Sequence, residues 1–265
     1  KNLKINILNE RFDQKILSSK LIINNATINS KTVEKNDIFF AIKGKKNNGN
    51  SFVKEAFKKG ASYSILNKFN KSIKTSKQIL VKDTLKFLTD LSIKMRNVSP
   101  ATFIAITGSC GKTSLKELLV NVLKKNHKLS YSPKSYNNKY GVPLSLFNIK
   151  ENDTFDIFEV GMDQFGEINN LTKIIRPDLG VITNISYAHI KNFKSLSEIA
   201  KAKSEIIDNI ITGGSIVLNA DDYFFNFHKQ LAKKKKLKVF SFSLNKKNTN
   251  AYIKNIIKIK NKYLV

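Results

Sequence analysis

Thr102-Phe103-Ile104-Ala105-Ile106-Thr107-Gly108-Ser109-Cys110-Gly111-Lys112-Thr113-Ser114 decides the fold. Its first five residues are apolar or β-branched, which suits a buried strand. Past Ser114, Leu115, Leu118, Leu119, Val122 and Leu123 recur at three and four residues, the spacing of a helical face. The order is strand, glycine turn, helix. Two glycines let a backbone curl so that its N–H groups face an anion. The helix adds unpaired N-terminal donors and the positive end of its dipole. On this reading Gly108, Ser109, Cys110, Gly111, Lys112, Thr113 and Ser114 surround the phosphates of a nucleotide. Lys112 reaches the β- and γ-phosphates, and the Thr113 hydroxyl sits on Mg²⁺. The spacing is Gly-x-x-Gly-Lys-Thr, shorter than the common form, which would need glycine where Ile106 stands. The same residues also read as a plain strand-to-helix turn that carries Gly-Lys-Thr. Cys110, the sole cysteine, reads either as a reactive thiol in the loop or as a small buried residue that fits the turn.

Downstream, strands alternate with helices, the pattern of a parallel α/β sheet. Strands are expected at 102–106, 155–160, 179–184, 215–219 and 238–242. Helices are expected at 113–125, 166–175, 195–211 and from about 222. Parallel strands bring their C-terminal ends to one edge, where ligands bind. Gly108 to Thr113, Glu159, Asn184 to His189 and Asn219 to Asp222 all fall at such ends. Beyond 244 the chain becomes irregular, and Tyr252, Ile253, Ile256, Ile257 and Ile259 open further sheet structure.

Upstream, residues 1–98 read as a smaller α/β unit. Strands are expected at 21–23, 26–28, 37–42, 63–66 and 79–81. Ser51 is placed to cap a short helix ending at Gly60, and Asp83 or Thr84 to start one through Met95. Pro100 marks the boundary. The expected domains are 1–98 and 99–265.

Composition sets limits. At 265 residues the chain can bury a sizeable core. No apolar run approaches the ~20 residues that span a bilayer, and the N-terminus shows no secretory pattern. One cysteine excludes an internal disulfide and fits a reducing cytosol. The formal net charge is +27, yet only three of the 47 basic residues are arginine. Base-reading sites favour arginine. Abundant Lys, Asn and Ile suggest AT-rich coding rather than an RNA surface. The run Lys233 to Lys236 reads as a solvated helix end.

Other motifs recur in order. They are Asn29-Ser30-Lys31, Asp37-Ile38-Phe39-Phe40-Ala41-Ile42-Lys43-Gly44 and Asn137-Asn138-Lys139-Tyr140-Gly141-Val142-Pro143-Leu144. Arg176-Pro177-Asp178, Thr183-Asn184-Ile185, Ala188-His189, Ala202-Lys203-Ser204-Glu205-Ile206 and Leu218-Asn219-Ala220-Asp221-Asp222 follow. With the loop at 108–113, this series resembles the Mur ligases, the ATP-dependent amide-bond formers of peptidoglycan synthesis. The resemblance is nearest to the type that joins D-alanyl-D-alanine to UDP-N-acetylmuramoyl-tripeptide.

The resemblance implies a small N-terminal α/β domain that binds the UDP-substrate, followed by a P-loop-type ATPase domain with a mostly parallel sheet. The family's later His-Asn-x-x-Asn-Ala segment and C-terminal domain have no counterpart here, so the ATPase domain is expected to be incomplete. Lys112, Lys203 and His189 would be catalytic. Thr113 and Glu159 would hold one Mg²⁺, and His189 and a CO₂-carbamylated Lys203 a second. Ser30, Asn137 and Asn138 would contact substrate, and Asn219 the nucleotide edge. A cytoplasmic monomer is implied, without nucleic acid. Read without the resemblance, Glu159 is equally a rim carboxylate, His189 a polar loop residue, and Lys201 and Lys203 a solvated helix face. Two other readings stand beside the ligase: a catalytically silent nucleotide-sugar module and a basic nucleic-acid-binding P-loop protein. Departures from the family include Cys110, Lys31 for arginine, and Asn48-Gly49-Asn50 for Asp-Gly-His.

Overall fold

The strand that enters the glycine loop is the middle of a sheet. β5 (Thr102–Thr107) is buried at every position but its first, as a strand covered on both faces must be. A computed structural model describes residues 3–11, 22–44, 47–187, 192–254, 257–259 and 262–264. Its contacts divide the chain into two units, 1–100 with 143–152, and 101–142 with 153–265.

The second unit holds a seven-stranded sheet. Its strands are β5, β6 (Leu129–Tyr131), β7 (Phe155–Glu159), β8 (Leu179–Ile182), β9 (Ser215–Asn219), β10 (Lys238–Ser243) and β11 (Ala251–Tyr252). The order is β11-β10-β9-β8-β5-β7-β6, and every pairing is parallel. Chain order reverses at β5, which has β8 on one side and β7 on the other. Such a switch point opens a crevice at the strands' C-terminal ends. Helices α4 (Lys112–Leu123), α6 (Glu167–Ile175), α7 (Leu196–Asp208) and α8 (Phe225–Lys234) make the crossovers. Ile104, Ile106, Ile157 and Val181 from the sheet pack with Val120, Leu115, Leu119 and Leu123 from α4. Leu118 and Val122, placed on the inner face by spacing alone, are exposed. α8 starts three residues later than expected, because 220–224 form a turn held by Asn219 and Asp222. Further sheet structure was expected near the end, and β12 (Ile257–Ile259) and β13 (Lys262–Leu264) form an antiparallel pair there.

The first unit is a four-stranded parallel sheet in sequential order, β1 (Ala26–Thr27), β2 (Ile38–Phe40), β3 (Tyr63–Leu66) and β4 (Gln78–Leu80). Helices α1 (Leu3–Arg11), α2 (Val53–Lys58) and α3 (Thr84–Val98) belong to it. α1 was not foreseen and packs on α3. Asp83, not Thr84, caps α3 by accepting from the N–H groups of Leu85 and Lys86. Ser51 caps nothing. Asn48 accepts from Asn50 N–H instead, in a short turn that precedes α2.

α5 (Gly141–Phe147) was also not foreseen. It begins the segment 143–152 that returns to the first unit, inside the stretch assigned by sequence to the second. The Asn148 side chain explains the return. Its Oδ1 accepts from Ala26 N at 2.7 Å and its Nδ2 donates to Ala26 O at 2.9 Å, so one amide imitates a neighbouring strand on the edge of β1. Phe147 meets Phe40 edge-on with ring centroids 6.0 Å apart.

Replacing Asp83 with alanine removes both N-terminal bonds of α3. The first unit is expected to lose about 1 kcal/mol, measured by urea unfolding. A change below about 0.3 kcal/mol would contradict the cap.

Candidate functional site

Gly108 ends β5 with φ +145°, and a Cβ there would lie 1.8 Å from Thr183 Oγ1. The backbone therefore passes against the end of β8 at a distance no side chain permits. Thr183 N donates to Thr107 O at 3.0 Å, and its hydroxyl donates to Cys110 O at 2.6 Å. Ser109 and Ser186 exchange two bonds of 2.9 Å. Gly111, at φ +80°, is the N-cap of α4, and a Cβ on it would meet nothing within 4 Å. That glycine serves the left-handed turn alone. Lys112 Nζ folds back to Gly108 O at 2.9 Å and Ser109 O at 3.3 Å.

Not every loop amide faces outward as expected. Ser109 N donates to Asn184 O at 2.9 Å and Cys110 N to Asn184 Oδ1 at 3.1 Å. α4 has no side-chain cap, so the donors of its first turn are the ones left for an anion. Thr183, Asn184 and Ser186 thus brace the loop. Their place at the end of β8 was legible, but their bonds to the loop were not.

Glu159, at the end of β7, is 2% exposed. Its Oε2 accepts from Thr113 Oγ1 at 2.6 Å and its Oε1 from Asn137 Nδ2 at 2.8 Å. Among the described residues no cation pairs with it. A buried carboxylate with only neutral donors is costly, and its setting fits a cation. Among the described residues no three His, Cys, Asp or Glu side chains form a metal cage. The donor set is one carboxylate and one hydroxyl, which suits Mg²⁺ completed by phosphates and water.

Lys203 lies on α7 and is 1% exposed, which removes the solvated-face reading for it. Lys201 is exposed and keeps that reading. The Lys203 pKa is lowered from 10.5 to about 7, chiefly by burial and also by the Lys112 charge, with Cys110 acting in the opposite direction. Lys203 is therefore within electrostatic reach of the loop. Among the described residues its ammonium has no hydrogen-bond or ion-pair partner.

Cys110 is exposed, with its sulfur 3.8 Å from Ser186 Oγ. Ser114 is exposed on α4. Asn219 Oδ1 accepts from Asp221 N, so it shapes the turn after β9. Asp222 reaches the β8 end, accepting from Ile185 N at 2.6 Å. Asn138 is exposed and accepts from Tyr140 N and Gly141 N at the start of α5. Ser30 is buried in the first unit and donates to Glu55 Oε2 at 2.6 Å. His189 lies outside the described residues. The structure brings together Lys112, Thr113, Asn137, Glu159, Cys110 and Lys203.

Residues 106–264 match the Mur ligase middle domain. Residues 22–98 match the catalytic domain of the Mur ligase family. The chain belongs to the Mur ligase family. A UDP-N-acetylmuramoyl-tripeptide–D-alanyl-D-alanine ligase of Rickettsia prowazekii (strain Madrid E) is 35% identical over 236 residues, 89% of this chain and 50% of the relative. The Escherichia coli (strain K12) protein of that name is 31% identical over 220 residues, 83% of this chain and 48% of the relative. MurF from Acinetobacter baumannii superposes with a TM-score of 0.79 at 27% identity, over 96% of this chain and 55% of that one. MurF ligase from Thermotoga maritima, solved in complex with ADP, gives 0.76 at 27% identity over 93% and 56%. The chain spans about half the length of the curated relatives it matches. Within the Mur ligase frame, the glycine loop, Glu159 and Lys203 all lie in the middle-domain match.

A buried lysine with a pKa near 7 stays uncharged where the unfolded chain binds a proton. The destabilisation is in full force below about pH 7 and is relieved as pH rises towards 10.5. A shift of this size corresponds to about 5 kcal/mol at most. Lys203→Met in CO₂-free buffer is expected to stabilise the ligand-free chain by at least about 1 kcal/mol at pH 6.5. The gain should shrink by pH 9.5. Equal stability of the two proteins at both pH values would contradict the burial.

Proposed function

We propose that this chain carries the nucleotide and UDP-substrate machinery of an ATP-dependent, ADP-forming ligase. The reaction joins D-alanyl-D-alanine to UDP-N-acetylmuramoyl-tripeptide. The observation that carries the reading is the buried Glu159 carboxylate, held by Thr113 and Asn137 against the glycine loop, in a chain that matches the Mur ligases over both of its units.

Forming an amide from a carboxylate needs a leaving group. A tripeptide carboxylate oxygen attacks the γ-phosphorus of ATP, and the bond to ADP breaks. The dipeptide amine then attacks the acyl carbon, the amine proton is lost, and phosphate departs. The protein's part is placement and charge neutralisation. Lys112 leaves the carbonyls of Gly108 and Ser109 and turns to the γ-phosphoryl oxygens. The loop from Gly108 to Ser114 surrounds the phosphates, with the first-turn donors of α4 facing them.

Thr113 and Glu159 would hold one Mg²⁺, and Lys203 with His189 a second. Bound Mg²⁺ supplies positive charge to the transferring phosphoryl oxygens. Lys203 suits this role only after modification. Its uncharged amine, favoured by burial, adds to CO₂ to give a carbamate and release a proton, which turns a cation into an oxygen ligand. Asn137 shares Glu159 with Thr113 and would contact the substrate. Ser30 and Asn138 would contact the UDP-sugar peptide, with residues 1–98 as the UDP-substrate domain and 99–265 as the ATP domain. Asn219 would shape the nucleotide edge. The protein would act as a cytoplasmic monomer. Among the described residues no helix is long and apolar enough to cross a membrane.

The test is phosphate release with ATP, UDP-N-acetylmuramoyl-tripeptide and D-alanyl-D-alanine, using a chain extended to the length of the relatives. Dipeptide-dependent release is expected there. Lys203→Ala should abolish release, and short carboxylic acids should partly restore it by supplying the missing oxygens. Full activity of Lys203→Ala would remove the carbamate from the reading. No dipeptide-dependent release from the extended chain would overturn it.

A further inference from the structure

Lys116 is fully buried, at 0% exposure. Lysine almost never occupies such a place without a partner. Its partners here are main-chain oxygens. Nζ donates to Ser132 O at 2.7 Å and to Lys134 O, and Glu117 lies 3.3 Å away at the protein surface. Both carbonyls belong to the loop that follows β6 and carries Asn137.

That loop is held by four further hydrogen bonds. Ser132 N donates to Ile157 O at 2.9 Å, and Ser132 Oγ accepts from Glu159 N at 3.1 Å. Asn137 O accepts from Gly161 N at 2.9 Å, and Asn137 Nδ2 donates to Glu159 Oε1 at 2.8 Å. Lys134 stands at φ +49°, a left-handed conformation that a lysine adopts only when its surroundings impose it. Gly161 leaves room for the Asn137 side chain, since a Cβ on it would come within 2.9 Å of that side chain.

These bonds close a ring. From α4, Thr113 reaches Glu159, Glu159 reaches Asn137, and the loop runs back through Lys134 to Ser132. Lys116 returns both carbonyls to α4. Thr113 and Lys116 are three residues apart and so lie on the same side of the helix, about one turn apart. One turn of α4 therefore fixes both the hydroxyl that meets Glu159 and the loop that presents Asn137 to it.

We propose that Lys116 is a positioning residue for the metal–nucleotide site. It touches neither phosphate nor metal. It sets the distance between α4 and the 132–137 loop, and through Ser132 and Asn137 it fixes the orientation of the Glu159 carboxylate. The proposal rests on the nucleotide reading given above. It differs from a purely structural role in one respect: losing Lys116 weakens the metal-dependent part of nucleotide binding while leaving the glycine loop's own grip on phosphate.

The experiment is calorimetric titration of the 265-residue chain with ATP, once with Mg²⁺ and once with EDTA. Wild type is expected to bind more tightly with Mg²⁺. Lys116→Met, which keeps length and removes the charge, is expected to lose at least tenfold in Mg-ATP affinity. Its metal-free affinity should stay within about twofold, with circular dichroism unchanged. Lys116→Arg should recover part of the Mg²⁺ effect. A folded Lys116→Met that keeps the wild-type ratio of the two affinities would overturn the proposal. If Lys116→Met does not fold, Ser132→Ala is read in the same way. It removes the acceptor of Glu159 N, so a lowered Mg²⁺ ratio supports the proposal and an unchanged ratio overturns it. Failure of wild type to bind ATP under either condition would strike instead at the nucleotide reading.

Discussion

A carboxylate buried at the end of a central strand, with neutral donors on both oxygens, governs this site. Glu159 is exposed to only 2% and is met by a threonine hydroxyl and an asparagine amide. Two neutral hydrogen bonds do not offset the desolvation of a full charge. The setting therefore suits a cation, as the proposed Mg²⁺ site requires. The Glu159 carboxylate and the glycine loop stand side by side because β5 and β7 are paired in parallel register, with Ile106 opposite Glu159. The topology of the sheet thus brings the two halves of the proposed metal–nucleotide site to one edge.

The same edge concentrates positive charge. Lys112 and Lys203 act on each other electrostatically, and burial holds Lys203 near neutrality. The loop satisfies many of its own polar groups. Lys112 caps loop carbonyls, and Asn184 takes the amides of Ser109 and Cys110. Such internal bonds keep these polar groups paired, and on the proposed function a polyanion would exchange for them. The cost is modest, because each bond exchanged is replaced by a charge-assisted one.

Much of this was legible in sequence. The glycines at 108 and 111, the alternation of strands and helices, and the placing of Glu159 and Asn184 at strand ends all follow from local rules. What was not legible depends on distant partners. Lys116 looks like any helix lysine, because its partners are backbone oxygens of residues 132 and 134, which carry no side-chain signature. Segment 143–152 looks like part of the second unit, because its ties to the first, an asparagine imitating a strand and Phe147 against Phe40, are made to residues more than 100 positions away. Leu118 and Val122 fit an apolar helical stripe, yet the sheet covers only the side bearing Leu115, Leu119 and Leu123. Lys203 and Lys201 are indistinguishable by spacing alone, and only the packing of α7 buries one of them. The net charge of +27 is loud in sequence and says little about the site, which depends on two lysines.

The most direct measurement of the central claim uses the exposed thiol inside the loop. Cys110 is the only cysteine in the chain, so its alkylation by iodoacetamide reports on the loop without interference. Phosphates seated between Gly108 and Thr113 would cover it. The account predicts that saturating Mg-ATP slows alkylation of Cys110 at least tenfold relative to the free protein. Alkylation at the same rate with and without Mg-ATP would mean that this loop does not enclose the nucleotide, and would contradict the account.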